Sequence, residues 1–166
     1  MMLIDTKCAI QAHSLGVHAM KLFFKMLLTG LMGLSLSAFA QMTPVGQWHT
    51  VDDKTGEVKA EIHITEQAGV LAGRVFKSLR NDPTAKKTCD DCKDDRKGQV
   101  IIGMEIIRGV KQEGAENLWA GGGKILDPEN GKEYTVRMTP LEGGKKLQVR
   151  GYIGPFYRTQ VWLRVQ

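Results

Sequence analysis

Val58-Lys59-Ala60-Glu61-Ile62-His63-Ile64-Thr65 puts an apolar residue at every second position and a polar one between each pair. A period of two belongs to a strand covered on one face, because successive side chains leave a strand on opposite sides. The alternation returns along the chain. Tyr134, Val136 and Met138 alternate with Thr135, Arg137 and Thr139, and Leu147 and Val149 alternate with Lys146, Gln148 and Arg150. Val161, Leu163 and Val165 alternate with Gln160, Trp162 and Arg164. Val100 to Ile107 is apolar on both faces, the pattern of a more fully covered strand. No window of twelve residues past Gln41 carries a helical stripe.

Turn chemistry separates these runs. Asp52-Asp53-Lys54-Thr55-Gly56, Asp127-Pro128-Glu129-Asn130-Gly131 and Glu142-Gly143-Gly144 each supply Gly or Asn for positive φ. About eight strands follow, over 45–51, 58–65, 70–77, 99–108, 117–125, 133–139, 145–152 and 159–165. Hairpin after hairpin makes an antiparallel up-and-down meander, and eight such strands close into an all-β barrel whose interior is packed or holds one small ligand. An open sheet or a sandwich is the competing architecture. The irregular stretch from Ser78 to Gly98 is expected on the surface, as a flap over one end.

The chain has 166 residues and a net charge of +5. Its start divides from the rest. Met20-Lys21-Leu22-Phe23-Phe24-Lys25 is basic, Met26 to Leu36 is mostly apolar, and Ala38-Phe39-Ala40 ends the run with small residues. That is the three-part form of a secretory signal, with cleavage expected between Ala40 and Gln41 and Met20 as a second candidate start. The apolar run falls short of the ~20 residues a membrane span needs. Residues 1–40 are therefore expected to be removed, leaving 41–166 as one domain in the periplasm or outside the cell, with no membrane span. Past residue 40 the chain carries 20 basic and 17 acidic side chains, which is too little excess for a nucleic-acid footprint.

Catalytic constellations are sparse. Past the signal there is one serine, Ser78, outside any G-x-S-x-G context, and there are two histidines, His49 and His63. His63 alternates onto the polar face of its strand, whereas His49 lines one end of the barrel or points outward. Gly121-Gly122-Gly123-Lys124 lacks the upstream glycine and the Ser or Thr of a phosphate loop, and reads as a strand with glycine kinks. Cys89-x-x-Cys92 admits three readings. An oxidising compartment makes a local disulfide the default. A redox pair would want a lowered thiol pKa, which Asp90, Asp91, Asp94 and Asp95 oppose. Zinc would require two further ligands. No cofactor and no metal site are expected.

The polar faces of the last two strands are a further lead. Gln148, Arg150 and Tyr152 share one face, and Arg158, Gln160, Trp162 and Arg164 share another of like parity. Pairing the strands would gather these into one patch, either a solvated outer face or a polar cavity wall suited to an anionic or aromatic group. Arg150, Tyr152, Arg158, Gln160 and Trp162 are the candidate ligand-binding residues.

Two resemblances attach to these motifs. Gly46-Gln47-Trp48 resembles the G-x-W element that opens lipocalin barrels, which implies that Arg164 packs over Trp48 and plugs one end. A longer series resembles a family of exported bacterial proteins, domain of unknown function 2147, similar to lipocalins in fold. It runs from Gly46-x-Trp48 and Asp53-x-Thr55-Gly56 through Cys89-Asp90-Asp91-Cys92-Lys93 and Ile102-Gly103-Met104. It continues through Gly123 to Lys132 and Tyr134, Arg150-Gly151-Tyr152-Ile153-Gly154 and Arg158-Thr159-Gln160-x-Trp162-x-Arg164. Only Pro155-Phe156-Tyr157 separates the last two motifs, fewer residues than the family has, so a tighter final hairpin is expected. The resemblance implies a lipocalin-like barrel that binds a small hydrophobic or amphipathic ligand without catalysis. The alternative is a cell-envelope module that binds a protein through a sheet edge or the basic patch. A thiol oxidoreductase built on Cys89 and Cys92 is the minor third reading.

Overall fold

The computed structural model describes residues 42–114 and 117–166. The signal segment expected over 1–40 and its cleavage point lie outside the described residues. Eight strands run in chain order: β1 (Gly46–Val51), β2 (Val58–Gln67), β3 (Val70–Ser78), β4 (Glu105–Lys111), β5 (Lys124–Asp127), β6 (Lys132–Leu141), β7 (Lys146–Ile153) and β8 (Phe156–Arg164). Each pairs antiparallel with the next, and β8 returns to β1, so the sheet is a closed barrel. Closure settles the choice against an open sheet or sandwich.

The two-residue period sets the inside. Ile62 and Ile64 of β2, Val136 and Met138 of β6, and Leu147 and Val149 of β7 are buried. Antiparallel partners share a face, so Trp48 opposite Ile62 and Leu147 opposite Trp162 carry two of the three buried tryptophans into the same interior. The closing seam is short, pairing only Trp48 with Arg164 and His49 with Leu163.

Two expected strands differ. The run over 99–108 is a strand only from Glu105, because Val100 to Gly103 forms turns whose backbone bonds go to other segments. Ile101 N–H donates to the Lys87 carbonyl and Gly103 N–H to that of Val75. These residues are apolar on both faces because they cover an opening, and not because a sheet sandwiches them. The strand expected over 117–125 shrinks to Lys124–Asp127, with Trp119 making lone bridges to Gln112 and Met138. The Gly121-Gly122-Gly123 run turns the chain between them. The last hairpin closes through two residues, Gly154 and Pro155, with Ile153 opposite Phe156.

Candidate functional site

The two ends of the barrel are built differently. At one end Trp48 is fully buried, and its indole Nε1 donates to the Pro44 carbonyl at 2.7 Å. The Arg164 guanidinium lies 4.1 Å from the centre of the Trp48 ring. It donates to the carbonyl oxygens of Thr43 (2.7 Å), Val45 (2.9 Å) and Gly144 (2.5 Å). A Cβ on Gly46 would stand 2.4 Å from Arg164 Nη1, so the glycine of G-x-W leaves room for the guanidinium. This end is plugged.

The other end holds a cavity of about 250 Å³. Its walls are Ile62, Val75, Ile106, Ile125 and Val149, with Trp162 the deepest contribution from β8. Thr50, Lys59, Tyr134, Arg158 and Gln160 add polar groups toward the mouth. Most are already engaged. Trp162 Nε1 donates to Gln160 Oε1 at 3.1 Å. Arg158 Nε donates to Asp53 Oδ2 at 2.9 Å, tying β8 to the β1–β2 turn, and this guanidinium holds the Asp53 carboxyl below the ordinary range.

A lid formed by residues 79–104 crosses the mouth, and Arg80, Ala85, Lys86, Ile101 and Ile102 face the cavity. The lid is fastened to the β5–β6 turn. Arg80 pairs with Glu129, and Lys86 Nζ donates to the Glu129 carbonyl at 2.8 Å and to Asp91 Oδ2 at 2.5 Å. The backbones meet closely: a Cβ on Gly131 would stand 2.1 Å from the Asp91 carbonyl oxygen, and Gly131 has a φ of 65°. Cys89 and Cys92 are joined in a disulfide and are buried in the core, the local bridge taken as the default reading of this pair. Arg96 is also buried, donating to Glu133 Oε2 at 2.8 Å, to the Glu105 carbonyl at 3.1 Å and, from Nε, to Asp94 Oδ2 at 2.9 Å. The hydrogen bond from Arg96 is the main reason the Asp94 carboxyl is held down to about 2. Arg108 clasps Asp95 with two hydrogen bonds of 2.8 and 2.9 Å.

The candidate binding residues separate. Arg158, Gln160 and Trp162 line the cavity, but Arg150 and Tyr152 do not. The two-residue turn pairs each even-numbered residue of β7 with an odd-numbered one of β8, so Gly151 opposes Arg158 and Val149 opposes Gln160. Arg150 faces Thr159, and Tyr152 faces Tyr157, on the outside of the wall. The single patch expected from like parity is therefore two surfaces, one on each side of the sheet. His49 and His63 also lie on the outside, where His63 Nε2 is 2.8 Å from Glu61 Oε1 and Lys77 Nζ is 2.9 Å from Glu61 Oε2. Lys77 foremost, then His63, holds the Glu61 carboxyl down to about 2. Sequence reasoning missed Tyr134, Ile101 and Ile102 as cavity residues. The signal for the last two was the apolar run of 100–107, which has no polar alternation to mark a solvent face.

Among the described residues no helix is long and apolar enough to cross a membrane. A family model described as an uncharacterised protein conserved in bacteria (DUF2147) matches residues 46–164. Among solved structures, protein HP1028 from the human pathogen Helicobacter pylori, described as belonging to the lipocalin family, is similar in fold at a TM-score of 0.61. It is 17% identical, and the match covers 74% of this chain and 82% of that one. No curated protein matches the sequence.

Proposed function

This chain belongs to the DUF2147 family of bacterial proteins, and from that premise and its lipocalin-like barrel we propose that it is an exported, non-enzymatic binder of a small hydrophobic or amphipathic molecule. The observation that carries this reading is the cavity of about 250 Å³, apolar at depth and polar at its mouth. Apolar walls reward burial of a ligand's hydrocarbon, while a few placed polar groups fix its orientation. A cavity of this size suits a compact ligand or the end of a longer one. The signal pattern of residues 20–40 supports placing the protein in the periplasm. Closure of the barrel favours this reading over a partner module using a strand edge, because the described strands leave no edge free.

Native mass spectrometry of the protein recovered from a bacterial periplasm tests the reading, together with binding of an apolar fluorescent dye. A retained small-molecule mass or saturable dye binding is expected. Val149→Trp, which fills the cavity, should abolish either signal while the circular dichroism spectrum is preserved. If the wild type retains no adduct and takes up no dye, or if Val149→Trp binds as well as wild type, the cavity is not the binding site.

A further inference from the structure

Charge is unevenly distributed along the barrel. From Tyr134 to Gln166 the chain has six Lys and Arg residues and a single Asp or Glu, Glu142, which lies in the β6–β7 turn. From Tyr134 onward the outer face of β6, β7 and β8 consequently carries no carboxylate, and Glu133 at the start of β6 is taken by Arg96. Arg137 and Arg150 oppose one another there, next to Thr159. Neither arginine has a carboxylate partner among the described residues. Arg150 instead lies 4.8 Å from the Tyr157 ring and donates from Nε to Thr159 Oγ1 at 2.8 Å, and Arg137 lies 5.5 Å from the Tyr152 ring.

These residues form rows that end at a protruding apolar tip. Outermost along the hairpin are Ile153 and Phe156, 49% and 74% exposed, either side of the Gly154-Pro155 turn and on the face of Arg158. Next come Tyr152 and Tyr157, their rings 5.7 Å apart, with Tyr157 62% exposed. The row of Arg137, Arg150 and Thr159 follows, about 10 Å behind Phe156 at ~3.3 Å per strand residue. Apolar tip, tyrosine belt, arginine row: this is the order in which a lipid surface presents acyl chains, interface and phosphates. A soluble polyanion would be served by the arginines but gives no reason for an exposed Phe and Ile. We propose that the outer β6–β8 wall and its hairpin tip dock on a membrane surface rich in anionic phospholipid, with Phe156 inserted and Arg137 and Arg150 at the phosphates. Insertion by ~5–10 Å, the depth usual for surface-bound segments, brings the arginine row level with the headgroups. The tip belongs to the open end, so docking would turn the cavity mouth toward the lipid. The proposal rests on the outer wall and the hairpin tip and holds whether or not the cavity takes a ligand.

Flotation with vesicles of phosphatidylcholine, alone or mixed with phosphatidylglycerol, at low and high salt is the test. The protein is expected on the anionic vesicles only, with binding weakened by salt. Arg137→Ala combined with Arg150→Ala should lower partitioning about thirtyfold, taking ~1 kcal/mol per basic side chain near an anionic surface. Phe156→Ser should lower it by about tenfold or more through lost apolar burial. The emission of Phe156→Trp should be quenched by brominated acyl chains. Lys111→Glu, on β4, should bind as wild type, and so should the cavity-filled Val149→Trp, which separates docking from ligand uptake. All these substitutions except Val149→Trp are on the surface, and an unchanged thermal midpoint checks their fold. Equal binding to neutral vesicles, no quenching of Phe156→Trp, or binding to heparin without binding to anionic vesicles would each overturn the proposal. The heparin result would make the wall a polyanion site.

Discussion

The plugged end and the lidded end of this barrel solve the same problem with opposite chemistry. At the plugged end a buried indole carries a guanidinium whose hydrogen bonds run to backbone carbonyls of Thr43, Val45 and Gly144. Carbonyls do not titrate, so acid leaves these acceptors unchanged. At the lidded end one buried arginine, Arg96, is accompanied by ion pairs at or near the surface: Arg80 with Glu129 and Arg108 with Asp95 between lid and barrel, Lys86 with Asp91 inside the lid, and Arg158 with Asp53 beside it. Such pairs are individually weak, are screened by salt and fail in acid. One end is therefore a fixed floor. The other is a cover whose hold depends in part on solvent.

The contrast breaks most sharply at the floor. Trp48→Ala empties a fully buried site and should cost about 3–5 kcal/mol of unfolding free energy, the usual range for a buried aromatic. Urea denaturation followed by circular dichroism measures it, and a loss below ~1 kcal/mol would mean that the plug is not a keystone.

A smaller effect is expected where the lid meets the β5–β6 turn. Gly131→Ala puts a methyl group against the Asp91 carbonyl at a position of positive φ. It should cost about 1–3 kcal/mol locally, as a non-glycine residue in a strained conformation does. Hydrogen exchange should show faster amides at Cys89, Cys92 and Ile101, with those of β1 and β8 unchanged. Uniform acceleration across the barrel would show that lid and floor are one cooperative unit.

Acid should give the smallest change and the most selective one. Asp94 titrates at about 2 in the folded protein, against ~4 for an unfolded carboxylate. Its contribution is complete above the unfolded value and is lost as pH falls from about 4 toward about 2. Asp53, lowered by Arg158, works in the same direction. Exchange measured across that window should show the lid loosening while the backbone amides around Trp48 and Arg164 stay protected. If both ends open together, the distinction between them fails.

The barrel was legible because the alternation at Val58–Thr65, Tyr134–Thr139 and Lys146–Arg150 is local, and a half-covered strand needs only local alternation. Trp48 and Arg164 were legible through G-x-W, since Gly46 is required by the guanidinium that fills its missing side chain's place. The binding wall was legible only by half. Which residues of β7 share a face with those of β8 depends on the length of the turn between them. Gly154-Pro155 as a two-residue turn places Arg158, Gln160 and Trp162 inside and leaves Arg150 and Tyr152 outside. The lid was legible as a flap from Ser78 to Gly98, but its last residues escaped for a different reason. Ile101 and Ile102 are apolar for the sake of a cavity formed by distant strands, and no period within 99–104 records that cavity.

The short seam between β1 and β8 has a consequence for the order of folding. Every other neighbouring pair joins strands consecutive in sequence, but Arg164 reaches the Val45 carbonyl across 119 residues. Closing so long a loop carries an entropy cost that grows with loop length, whereas consecutive hairpins close cheaply. A chain emerging from its N-terminus carries β1 as an open strand edge until the final residues arrive. Losing a few of those residues would remove both the last pairing partner and Arg164, leaving a curled sheet with two adhesive edges in place of a barrel.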